Sequence, residues 1–155
     1  MNSYHTSLLL RKSQKMSISS DGYRVIFKEY ASRHYIKDFE KKYKGAWLTT
    51  RKALVSEFRN IDMLINSGRT DPPIHRTNDN MQWIVKHEFV IAGLRESKKT
   101  SGRRIIAYVN DAERVVHILL VYHKDHADKK SGETAWWEKT IKSEYKDLLQ
   151  DFSLN

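Results

Sequence analysis

Between Ser101 and His126 the chain reads SGRRIIAYVNDAERVVHILLVYHKDH. RRIIAYV and RVVHILLVYHK are apolar runs rich in β-branched residues, and the polar turn NDAE, Asn110 to Glu113, separates them. Runs of this kind predict two buried strands joined by a short turn. The rest of the fold has to be built around this hairpin. Its ends, by contrast, are crowded with Arg, Tyr, His and Lys.

A period of two also runs through MQWIVKHEFVI from Met81, setting Met81, Trp83, Val85, His87 and Phe89 against Gln82, Ile84, Lys86, Glu88 and Val90. With the hairpin it predicts three consecutive strands in an antiparallel meander. YRVIFKEY, Tyr23 to Tyr30, reads as a further strand. Between them the period is helical. Tyr35, Ile36, Phe39 and Tyr43 form one apolar stripe before a break at Gly45, and Leu54, Phe58, Ile61 and Ile65 share a face of a helix over Thr49 to Asn66. Gly68 is placed as its C-cap, and Pro72 and Pro73 bar continuation. ETAWWEKTIKSEYKDLLQDF predicts a last helix with Trp137, Ile141, Tyr145, Leu148 and Phe152 along one stripe. The order is β-α-α-β-β-β-α, an α+β fold with a mostly antiparallel sheet, a helical hairpin and a C-terminal helix. Residues 1–20 are polar and Ser-rich and read as a flexible N-terminal arm, leaving 21–155 as a single domain.

Composition bounds the partners. Of 155 residues, 28 are basic and 19 acidic, a net charge of +9, with an isoelectric point near 9.7. Such a balance favours a polyanion, nucleic acid first, though an acidic protein or an anionic membrane surface also fits. No run approaches the roughly 18 apolar residues of a membrane span, and the three-residue apolar centre Leu8 to Leu10 is too short for a signal peptide. No cysteine is present, so neither a disulfide framework nor a thiolate metal site is available, and a cytoplasmic location is expected.

In an antiparallel hairpin the end of the last strand lies beside the start of the one before. Arg103 and Arg104 are thereby expected near Tyr122, His123 and Lys124. The loop residues Arg95, Lys98 and Lys99 lie close by, and Lys86 can join from the neighbouring strand. In alternation, Ile118, Leu120, Tyr122 and Lys124 share one face of the last strand and Leu119, Val121 and His123 the other.

Such a cluster suits metal-free RNA cleavage, which needs a base for the 2′-OH, cations on the phosphate and an acid for the leaving 5′ oxygen. Arg binds two phosphate oxygens at once, and His123 suits proton transfer near neutrality. Tyr122 and Lys124 could transfer protons if dense positive charge lowers their pKa values, and Tyr122 could instead stack on a base. Binding without chemistry and an ordinary solvated surface remain open readings. HKDHAD, His123 to Asp128, offers potential metal ligands, but a solvated loop in a Lys-rich field explains it better. Trp137 fits the core stripe, with Trp136 half exposed beside it. The remaining histidines (5, 34, 75, 87 and 117) form no motif and read as structural or solvated.

The element order, and SGRRIIAYV … HILLVYHK in particular, resembles the RelE/ParE toxin superfamily in its HigB-like and RelE-like members. They share a Gly-rich segment, an Arg-Ile-Ile-Tyr-type strand and a Leu-Leu-x-x-Tyr-x-Lys strand. The likeness covers about Met81 to Lys124, with the Arg on Arg104, the Tyr on Tyr122 and the Lys on Lys124. Ala107 departs from an aromatic common in that strand, and His123 stands where many members have a small residue. The resemblance implies the toxin of a type II toxin–antitoxin system, an mRNA interferase cutting mRNA on the ribosome with no metal or small-molecule cofactor and no membrane. Its partners would be that mRNA and a cognate antitoxin. Arg104, Tyr122, His123 and Lys124 would be catalytic, with Lys86, Arg95, Lys98, Lys99 and Arg103 binding RNA. ParE-type relatives poison DNA gyrase instead, and a non-catalytic binding protein on the same fold is the other alternative.

Overall fold

The computed structural model describes residues 22–154; the N-terminal arm expected over 1–20 lies outside them. Five strands form one sheet: β1 (Arg24–Phe27), β2 (His75–Arg76), β3 (Gln82–Phe89), β4 (Arg103–Asn110) and β5 (Val115–His123). Their spatial order is β1-β5-β4-β3-β2. β2 to β5 pair antiparallel, and β1 joins the edge of β5 in parallel. The expected α+β architecture is therefore present, with β2 as an additional short edge strand.

Both faces of the central strands are buried, which explains why β4 and β5 are apolar almost throughout. One face, with Val85, Phe89, Ile105, Ala107 and Val121, packs against the helices that follow β1. The other, with Ile84, Ile106, Leu120 and Tyr122, packs against the C-terminal helix. Simple alternation fails at one point. Ile106 pairs with Leu120 but Ala107 with Ile118, so Leu119 is bulged out of the ladder. The bulge puts Leu119 on the C-terminal-helix face and Ile118 on the other, the reverse of the alternating assignment. The buried Tyr145 hydroxyl donates to the Leu119 carbonyl at 2.6 Å, satisfying a backbone group that the bulge takes out of register.

The helical region is more broken than its periodicity suggests. It comprises α1 (Glu29–Arg33), α2 (Ile36–Tyr43), α3 (Gly45–Phe58) and α4 (Ile61–Asn66). Tyr35 and Lys44, at φ 68° and 47°, interrupt it in the left-handed region. The single helix expected over Thr49 to Asn66 is instead α3 and α4, with a break at Asn60. Its apolar stripe is nonetheless continuous, since Leu54, Phe58 and Ile61 are all buried. Gly68 closes α4 at φ +74°, where its N–H and that of Arg69 bond back to the last turn. The final helix, α5 (Glu133–Glu144), is shorter than expected. Trp137 and Ile141 are fully buried on it, and Tyr145 and Leu149 continue the packing in the turns beyond. Among the described residues no helix is long and apolar enough to cross a membrane.

Candidate nucleic-acid interface at the end of the central hairpin

The cross-strand pairs Arg103–His123 and Arg104–Tyr122 meet at the open end of the hairpin. Lys124 N–H donates to the Gly102 carbonyl at 2.7 Å, and the chain then turns through a short 3-10 segment, Lys124–His126. The two pairs point to opposite faces of the sheet. The expected single cluster is therefore divided by the sheet.

On the α5 face Arg104 is largely buried. Its Nε lies 2.9 Å from Glu133 Oε2 and its Nη2 3.5 Å from Glu88 Oε2, and its buried Nη1 has no hydrogen-bond partner among the described residues. Tyr122 is 0% exposed. Its hydroxyl donates to the same Glu133 oxygen at 2.6 Å, and Trp136 packs edge-on against its ring at 5.0 Å. Burial, then the hydrogen bond and charge of Glu133, raise the phenol far above its ordinary 10.0, outweighing the Arg104 cation. This overturns the expectation that surrounding positive charge lowers the Tyr122 pKa. It also leaves no exposed ring face for a base to stack on. Trp136 is half-buried as expected, held between Tyr122 and Tyr35.

On the other face Arg103 is buried, with Nη1 held by both carboxylate oxygens of Glu96 at 3.0 and 2.9 Å and Nη2 by the Tyr43 hydroxyl at 2.7 Å. Burial opposes its charge, but these partners outweigh it and the pKa is raised. It clamps the β3–β4 loop to α2 rather than offering a free fork to phosphate. His123 and His126 are each about a quarter exposed at the side chain (28% and 26%). The Asp125 N–H donates to His123 Nδ1 at 3.1 Å, and the His123 N–H donates to His126 Nδ1 at 2.9 Å. Burial lowers both pKa values, nearby Arg103, Lys124 and Lys42 add to this at His123, and Asp125 opposes it. Two residues of the HKDHAD segment thus spend a ring nitrogen on capping their own turn. No three His, Asp or Glu side chains group to hold a metal among the described residues.

The other expected RNA-binding residues lie elsewhere. Lys86, Lys98 and Lys99 line one shallow cleft with Arg69, Thr70 and His87. His87 is buried, bonded to Thr70 at 3.0 Å and Glu57 at 2.9 Å, and Lys98 Nζ lies 3.5 Å from Glu57. Arg95 and Lys124 are exposed.

A second cleft, of about 330 Å³, lies between α2 and the 3-10 turn, and Arg103, His123, His126, Tyr43, Lys42 and Asp38 are among its lining. Sequence reasoning took His126 only as a potential metal ligand and did not pick out Tyr43, Lys42 and Arg69 as site residues. The first three come together through packing of α2 on the turn, for which no local motif exists. His75, in contrast, serves the fold, bonded to Glu138 on α5 at 2.6 Å.

No family model matches the chain, and no curated protein matches it. Among solved structures it is similar to a mutant of the E. coli toxin RelE in the free state, at 21% identity and a TM-score of 0.37, over 74% of this chain and 96% of that one.

Proposed function

We propose that residues 21–155 form the toxin of a type II toxin–antitoxin pair, one that cuts ribosome-bound mRNA in the cytoplasm without a metal. One observation carries the reading. The residues of the sequence resemblance, Arg104, Tyr122 and Lys124, converge on one end of one hairpin. The net charge of +9 suits both RNA and an acidic antitoxin.

In this reading the 2′ oxygen attacks phosphorus and the bond to the 5′ oxygen breaks. The 2′ proton leaves to a base and the 5′ oxygen gains one. Arg104 exchanges its carboxylate partners for the scissile phosphate, whose paired oxygens suit the same fork. Lys86, Lys98, Lys99 and Arg95 hold flanking phosphates. Tyr122 positions Glu133 and Arg104 instead of titrating. His123 presents an N–H to the RNA, Lys124 gives a proton to the leaving 5′ oxygen, and water takes the 2′ proton. Rate then comes mainly from positioning and charge stabilisation.

A second reading, a binding protein without chemistry or a gyrase poison, is favoured by the pairing of Arg104 with two carboxylates. Pulse-labelling after induction separates the two. The nuclease stops protein synthesis first, leaves plasmid supercoiling intact, and loses its effect on Arg104→Ala substitution. Relaxed plasmid with continuing protein synthesis would move the assignment to gyrase.

A further inference from the structure

The cleft between α2 and the 3-10 turn carries chemistry that phosphate binding leaves unused. Its volume of about 330 Å³ is at the lower end for pockets that enclose a small organic group. Phe39 and Tyr43 give it an aromatic wall, their rings 6.2 Å apart and within 21° of parallel. The neutral tautomers of both histidines are fixed. Because each Nδ1 accepts a backbone N–H, each ring carries its proton on Nε2. The Tyr43 hydroxyl accepts from Arg103, so its own proton is available to a ligand.

Acceptors stand beside these donors. Asp38 Oδ2 is 3.7 Å from His126 Nε2, and the Asp38 and Asp125 side chains are 67% and 72% exposed at the rim. These carboxylates offset Lys42 and Arg103, and Glu96 already neutralises Arg103. A bare phosphate gains little from such a mixed field. A planar group with both donors and acceptors on its edge matches it. Among nucleobases, guanine offers N1–H and the N2 amino group together to a carboxylate, and O6 and N7 to N–H donors.

We propose that this cleft is a base-recognition subsite that takes one unstacked guanine of single-stranded RNA. Asp38 or Asp125 receives its amino edge, and the Nε2–H groups of His123 and His126 donate to its acceptors. The proposal rests on the reading of the chain as an mRNA-binding toxin and adds the base that it reads. It places that base on the sheet face opposite Arg104, so the RNA would pass over the hairpin end.

The test is an NMR titration of the full chain with labelled histidines, using guanosine 5′-monophosphate, adenosine 5′-monophosphate and ribose 5-phosphate. The expected result is a saturable shift of the His123 and His126 ring signals with the guanine nucleotide. It should be at least about five-fold weaker with adenine, the scale of one hydrogen bond, and absent with ribose 5-phosphate. Asp38→Asn should weaken the guanine nucleotide by a similar factor. Equal response to ribose 5-phosphate would show a phosphate site, equal response to adenine would remove the guanine assignment, and no response would remove the subsite. If mRNA is cut while these signals ignore the guanine nucleotide, the subsite fails and the nuclease stands. If the nucleotide binds and no mRNA is cut, the nuclease fails and the subsite stands.

Discussion

Tyr122→Phe separates a supporting phenol from a reacting one. The substitution keeps the buried ring and its edge-on contact with Trp136 and removes the hydroxyl bonded to Glu133 at 2.6 Å. A hydrogen bond to a charged group contributes about 1.5–3 kcal/mol. Glu133 is 27% exposed and keeps Arg104 at 2.9 Å, so water and the guanidinium compensate in part, and a loss of about 1–2 kcal/mol is expected. For a chain of this size that lowers the thermal midpoint by roughly 3–8 °C. Tyr122→Ala, by contrast, also empties a core site at about 3–5 kcal/mol and confounds activity with folding. Urea titration followed by tryptophan fluorescence gives the stability, and cleavage is then measured per folded molecule. The Phe variant should cut within a few-fold of the parent. A folded Phe variant slowed by about a hundred-fold or more, the range of a lost acid or base, would show that the phenol takes part and that its burial has been misjudged.

Glu96→Ala strands the buried Arg103 guanidinium with Tyr43 alone, and should cost about 1–3 kcal/mol because Glu96 is already 28% exposed; a urea midpoint within error of the parent would count against the clamp. Gly102 has φ +78°, and an added Cβ would fall 2.8 Å from His123 Nε2, so Gly102→Ala should cost about 2–3 kcal/mol and shift the His123 ring signals, whereas an unshifted ring would contradict the close approach. Burial first holds His117, His123 and His126 below their ordinary 6.5. The unfolded chain therefore binds protons that the folded chain refuses, so stability is full above about pH 6.5 and declines as pH falls through the folded values. A thermal midpoint that stays flat or rises from pH 7 to 5.5 would oppose this.

The sheet was legible because β3, β4 and β5 announce themselves by period and β-branched content. The register at Leu119 was not, since a bulge leaves the composition of a strand unchanged and depends on Tyr145 reaching its carbonyl from a distant segment. The helix stripes were legible too, whereas the breaks at Tyr35 and Lys44 arise from backbone angles that neither residue advertises. At the site, strand pairing correctly put Arg103, Arg104, Tyr122 and His123 at one end of the hairpin. Alternation already set His123 on the face opposite Tyr122, and the cross-strand pairs sort Arg103 with His123 and Arg104 with Tyr122, one pair to each face. The role of Glu133 was hidden for a different reason: it starts a helix ten residues beyond His123, and only packing of α5 on the sheet brings it to Arg104 and Tyr122.

Primer extension on a defined mRNA incubated with the purified chain, with and without translating ribosomes and with Arg104→Ala alongside, decides whether this chain cuts mRNA on the ribosome through Arg104. New 5′ ends within the translated frame that need ribosomes and vanish in the variant are the expected result. Intact mRNA with unimpaired translation would contradict it, and cuts that persist in Arg104→Ala would remove that residue from the phosphate.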